Sequence, residues 1–99
     1  MPETWNEATR NEVVTVGGTS ATVCNADEKR RVAYFRNDSA AAQVITLNFG
    51  AQPAVLNAGI VLSVGQFISD SDSEGYLCYK GSIQAIATAA GALLSIFER

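Results

Sequence analysis

The chain contains no histidine. That absence removes the commonest general base and with it Ser-His-Asp and Cys-His nucleophilic catalysis. Cysteine is scarce too: Cys24 and Cys78 are the only two, and without histidine they cannot complete a structural zinc site from one chain. A phosphate-binding loop is missing, because Gly17-Gly18 in "VGGTSAT" is not followed by Lys-Ser/Thr and reads as a turn. There is no basic stripe either; Lys29, Arg30 and Arg31 are the only cluster, and a formal charge of −3 argues against nucleic acid or an anionic membrane as partner. No apolar run approaches the roughly 18 residues of a membrane-spanning helix. The start, "MPETWNEATRNE", has neither the positive nor the apolar region of a signal peptide. The expectation is a chain made in the cytoplasm. There Cys24 and Cys78 have no oxidising compartment in which to pair, and two buried thiols are the simpler state.

Carboxylates are present, in Asp27-Glu28 and in "DSDSEG". The first pair sits beside Lys29, Arg30 and Arg31, which would hold both acids ionised, whereas a glycosidase needs one of them kept protonated in an apolar pocket. The loop from Asp70 to Gly75 copies the first half of a calcium loop, with acids at Asp70, Asp72 and Glu74 and then the turn glycine. The second half fails, since the closing glutamate position is Gly81 and no helical pattern flanks the loop. A solvated connection is the plainer reading, and neither metal nor cofactor is expected. As an enzyme the chain has almost nothing to work with.

At 99 residues it is a single domain. A domain of this size buries roughly two-thirds of its unfolded surface, so a partner subunit would add useful burial. Apolar residues make up 47%, but fifteen of them are alanine. Residues 1–11 are polar, aperiodic and hold the only tryptophan, Trp5; they read as an extended arm, followed by one β-domain over 12–99. A lone tryptophan in such an arm docks either on its own domain or on a neighbour, because exposing it wastes a large apolar surface.

From Glu12 onward short apolar runs alternate with turn residues at intervals of roughly ten, the pattern of a small antiparallel β-sandwich or barrel. "EVVTV" ends at Gly17-Gly18, and "SATVCN", "RVAYFRN" and "QVITLNFG" follow, with Asp38 and Ser39 as turn formers. The clearest strand signal sets Ile45, Leu47 and Phe49 on one face against Thr46 and Asn48 on the other. "GIVLSVGQFIS" reads as two strands with a kink at Gly65. In "SIQAIATAAGALLSIFER" the evidence is divided. Ile83, Ile86, Ala90, Leu93 and Phe97 keep helical spacing, yet Gly91 and the β-branched residues suit two strands turning at "AAG" equally well; the all-β context favours a hairpin.

Several strands are apolar on both faces: Leu94 and Ile96 against Leu93 and Phe97, and Val32 and Tyr34 against Phe35. A monomeric sandwich should keep one face wet, so part of the outside is expected to be buried by another subunit.

The stretch "RRVAYFRNDSAAAQVITLNFG" resembles a recurrent module of small tailed-phage virion proteins. In that module one or two basic residues precede an apolar strand, an Asn-Asp or Asn-Ser turn, and a strand ending in Phe-Gly. The resemblance continues through "AGIVLSVGQFIS" and "YKGSIQAIATAAGALLSIFE" and spans about residues 12 to 98. It implies a jelly-roll-like all-β barrel or sandwich with a C-terminal hairpin. The implied role is non-enzymatic: decorating a capsid surface or forming the base of a head or tail fibre, commonly as a trimer bound to the major capsid protein in the virion. The chain departs from the pattern in the long "AQPAVLNA" after Gly50 and in the acidic "DSDSEGYLC". Two functions follow as expectations. As a capsid decoration (cement) protein, the chain would use its arm, with Trp5, Glu7 and Arg10, together with the doubly apolar strands. As a receptor- or glycan-binding module it would use Tyr76 and Tyr79 beside the acidic loop.

Overall fold

The computed structural model describes residues 10–40 and 42–99. Trp5 and Glu7, and with them most of the expected arm, lie outside the described residues. Eight strands form: β1 Arg10–Val16, β2 Ala21–Cys24, β3 Val32–Asn37, β4 Ile45–Phe49, β5 Ile60–Leu62, β6 Phe67–Ser71, β7 Ile83–Ala87 and β8 Ala92–Glu98. There is no helix among the described residues, so the β-branched residues of the last segment outweigh its helical spacing. β1 begins at Arg10, two residues earlier than the apolar pattern suggests, because Arg10 and Asn11 continue the pairing with Glu98 and Phe97 of β8.

The strands make two four-stranded antiparallel sheets, sheet A in the order β1-β8-β3-β6 and sheet B in the order β2-β7-β4-β5. Every link between consecutive strands passes from one sheet to the other except β4–β5. The expected C-terminal hairpin is therefore corrected: β7 and β8 are both strands, but "AAG" is a corner at which the chain leaves sheet B for sheet A. Gly17-Gly18, which reads as a hairpin turn, is likewise a corner, between β1 in sheet A and β2 in sheet B. Alternation tells a strand which residues share a face and says nothing of its neighbour in the sheet. The long-range pairs β1–β8, β2–β7, β3–β6 and β4–β5 trace one antiparallel ribbon wrapped on itself.

One apolar core lies between the sheets. Phe35, Leu94 and Ile96 enter it from sheet A and Ile45, Leu47 and Ile83 from sheet B, each fully buried. Burying a side chain of this kind contributes roughly 1.5–3 kcal/mol. Small Ala33, Ala85, Ala87 and Ala92 let the large ones interdigitate across the gap. Phe35 meets Phe49 edge to face at 5.8 Å.

Each end of the sandwich has a buried polar keystone. At one end Arg30, only 1% exposed, pairs with Glu98 at 3.0 Å and donates to the carbonyls of Asn25, Tyr79 and Gly81. At the other, Asn37 donates to the carbonyls of Gln43 and Leu62 and accepts from the N–H of Ser39. Neither leaves a buried polar atom unsatisfied, which is why a charge and an amide are tolerated inside.

Candidate functional site

The two sheets treat their outer faces differently. On sheet B the outward residues Thr46 and Gln84 are buried, because the β4–β5 connection, residues 50–59, folds back over them. The Asn57 N–H donates to Thr46 Oγ1 at 3.1 Å, Gln84 Nε2 donates to the Gly50 carbonyl, and Ala54, itself buried, donates its N–H to Ser20 Oγ. This is the "AQPAVLNA" insertion, and covering this face is what it does.

Nothing in the described chain covers the outer face of sheet A. Register places Val13, Ser95, Arg36 and Phe67 in one row across it, with Asn11, Phe97, Tyr34 and Ser69 in the next. Val13 is 57% exposed, Phe67 63% and Leu93 37%, and the Tyr34 and Phe67 rings stack at 5.6 Å. The two-faced strands of the sequence thus resolve cleanly: Phe35, Leu94 and Ile96 point in, while Val32, Tyr34, Leu93 and Phe97 point out. The charged side chains Arg36 and Asp38 at this face neutralise each other at 3.0 Å.

Two of the concavities on the described surface bear on binding. The first, about 510 Å³, is polar and lies where β1 starts and β8 ends, lined by Arg10, Glu12, Thr22, Asn25, Asp27 and Glu98. Arg10 is held here rather than presented outward: it pairs with Glu12 at 2.6 Å, approaches Glu98 at 3.8 Å and donates to the Val23 carbonyl and, at 3.5 Å, to Cys24 Sγ. Burial, and secondarily the Glu98 carboxylate, push the Cys24 thiol up to about 12, so it stays protonated at neutral pH. The second concavity, about 500 Å³, is a shallow depression between the edge strands β5 and β6, and its wall mixes the apolar Ile60, Leu62, Phe67 and Ile68 with Gln66.

The acidic loop is organised by its own carboxylates. Asp70 accepts from the Tyr76 hydroxyl at 2.6 Å and from the Tyr79 N–H at 2.8 Å. Asp72 accepts from the Cys78 N–H at 2.9 Å and pairs with Lys80 at 3.2 Å. These oxygens close a turn on N–H and O–H donors instead of facing one another around a cation, and no group of metal-ligating side chains gathers among the described residues. Cys78 is a free buried thiol whose Sγ donates to the Arg30 carbonyl, and Cys24 is likewise free. Of the two tyrosines, Tyr76 is exposed, while Tyr79 packs its ring on Phe49 and over Gly81, where a Cβ would collide with it. The sequence reading missed Asn37 and Arg30 as keystones. Nothing in a linear pattern distinguishes a buried arginine from its solvated neighbours Lys29 and Arg31.

Searches for relatives found none: no family model, curated protein or solved structure matches the chain.

Proposed function

We propose that the chain is a non-enzymatic structural protein of a bacteriophage virion, a capsid decoration protein that binds the outer shell at subunit junctions as an oligomer and stabilises it. The observation that carries the reading is the apolar outer face of sheet A, which no described residue covers, opposite a face the chain covers for itself. A soluble domain gains nothing by leaving Val13, Leu93 and Phe67 in water; a docking domain gains affinity from them. The wrapped-ribbon strand order, β1-β8-β3-β6 over β2-β7-β4-β5, supports a jelly roll, an architecture at home in viral shells. The phage-module resemblance of residues 12 to 98 points the same way.

Size supports many weak contacts over one strong one. Four strands about 4.8 Å apart and about six residues long give a face of about 400 Å², half of the roughly 800 Å² per partner that a stable pairwise interface buries. An oligomer presenting several such faces converts weak contacts into firm attachment by effective concentration. The deciding experiment counts copies of the chain in purified virions by quantitative mass spectrometry. A simple fraction of the major capsid protein is the expected result. A handful of copies would relocate the protein to the portal, tail or fibres, and none would overturn the assignment.

A further inference from the structure

Of the four strands at the sheet edges, one has no device against further pairing. We propose that this strand, β1, joins two copies of the chain: its free edge adds antiparallel to the same edge of a second copy, and two sheets A become one sheet of eight strands. The proposal rests on the oligomeric reading above and names its contact.

The edges are β1 and β6 in sheet A and β2 and β5 in sheet B. An edge strand leaves one row of backbone N–H and C=O groups without a ladder partner, and folded chains blunt such rows by shortness, bulges or charges turned inward. β5 is three residues long, β2 is four with a register shift between Thr22 and Cys24, and β6 places Asp70 level with inward-facing Ala33. β1 is different. It runs seven residues, Arg10–Val16, paired with β8 throughout, with no bulge, glycine or proline. No described strand lies on its other side. Its two charges, Arg10 and Glu12, are turned on each other at 2.6 Å, so the edge carries no net charge against a copy of itself.

Self-complementarity identifies the occupant. The two-fold register in which every residue of β1 finds a partner is centred on Val13. It sets Val13 against Val13, Asn11 against Thr15 and Glu12 against Val14 of the second copy, so residues of one face stay together and no like charges meet. Val13, 57% exposed on the outer face, gains an apolar partner there. Moving the centre to Glu12 would oppose two carboxylates, and moving it to Val14 would shorten the ladder. Size argues for the same partner. One outer face of sheet A measures about 400 Å², and two joined at β1 present the roughly 800 Å² that a stable interface takes from each side. The pair is closed, because its outer ends are two β6 edges that Asp70 guards. It is a two-fold unit, unlike the trimer that the phage-module resemblance implies.

The test needs no capsid. Sedimentation equilibrium of the full chain should give twice the chain mass. Val13→Glu and Val13→Lys should each weaken association at least about tenfold, since like charges then face each other across the two-fold axis, while circular dichroism stays native. Mixing the two variants is decisive: glutamate now opposes lysine, and native mass spectrometry should show dimers of the mixed mass alone. Phe67→Glu, at the opposite edge of the same face, should dimerise as the wild type does. If a charged variant does not fold, Val13→Cys takes its place, and mild oxidation should cross-link two copies through that residue. A monomeric chain, charged variants that dimerise undiminished, a mixture that does not recover, a Phe67→Glu chain that dissociates or a Val13→Cys chain that does not cross-link would each overturn the pairing. The copy count in virions is independent of all five, so either reading can fail while the other stands.

Discussion

The outer faces of the two sheets belong to one ribbon and have opposite fates. Sheet B is roofed by residues 50–59, which spend three side chain–backbone hydrogen bonds on Thr46, Gln84 and Ser20. Sheet A, which sets Val13, Leu93 and Phe67 on its outside, has no such roof among the described residues. The difference separates folding from assembly: a face needed for stability is closed by the chain itself, and a face left open is available to something else. The edges reinforce the point. β5 has only three residues, β2 is broken by a register shift between Thr22 and Cys24, and Asp70 of β6 lies in register with inward-facing Ala33. Short strands, bulges and inward charges all discourage indiscriminate strand addition.

The largest effect should come from lifting the roof. Gly59 holds φ at +130°, and a Cβ there would sit 2.8 Å from the Leu47 carbonyl oxygen. Gly59→Ala should cost about 2 kcal/mol, combining backbone strain with a forced shift of loop against strand. Denaturant unfolding measures the loss, and hydrogen exchange should show faster opening in β4 than in β8. Thr46→Val is the milder version. It keeps the shape but strips the acceptor from the Asn57 N–H, and should cost about 1–2 kcal/mol. Equal stability of wild type and both variants would mean the loop merely rests on the sheet.

How much of this was legible beforehand follows from the range of each signal. The inward set of β4 (Ile45, Leu47 and Phe49) and the two-faced character of β3 and β8 are written in alternation, which is local. The kink at Gly65 is local too, and the residue does adopt φ +83°. The pairing partners are not: "AAG" between β7 and β8 has the composition of a hairpin turn, yet the strands it joins lie in different sheets. Arg30 and Asn37 hold the ends by bonds to carbonyls far along the chain, Tyr79 and Gly81 in one case and Leu62 in the other. Tyr76 and Tyr79 look alike in sequence, but only the exposed Tyr76 is free of the core. The length of "AQPAVLNA" was visible as a departure; its role as a roof was not, because that depends on which face it folds over.

On the open face the comparison predicts a dissociation of stability from binding. Leu93→Glu and Val13→Glu alter exposed positions and should leave the unfolding free energy within about 0.5 kcal/mol of wild type. Their binding to capsid shells should fall at least tenfold in co-sedimentation, since a charge is then buried at the contact. A stability loss as large as that of Gly59→Ala would show that sheet A's exterior also serves the fold. Undiminished sedimentation would move the docking surface elsewhere.

The smallest effect concerns the loop that lies on neither face. Asp72 is held below the ordinary carboxylate range, first by the Cys78 N–H and then by Lys80. A carboxyl whose folded pKa lies below its unfolded value adds stability only while it is ionised in the fold. That contribution is fully present at neutral pH, begins to fade below about pH 5, and is gone once the pH has fallen through the folded value. Asp72 and Lys80 are both partly open to solvent, so screening keeps the contribution small. Asp72→Asn should therefore unfold slightly earlier than wild type at pH 7, and the two should converge in acid. A gap that widens as the pH falls would contradict the geometry of this turn.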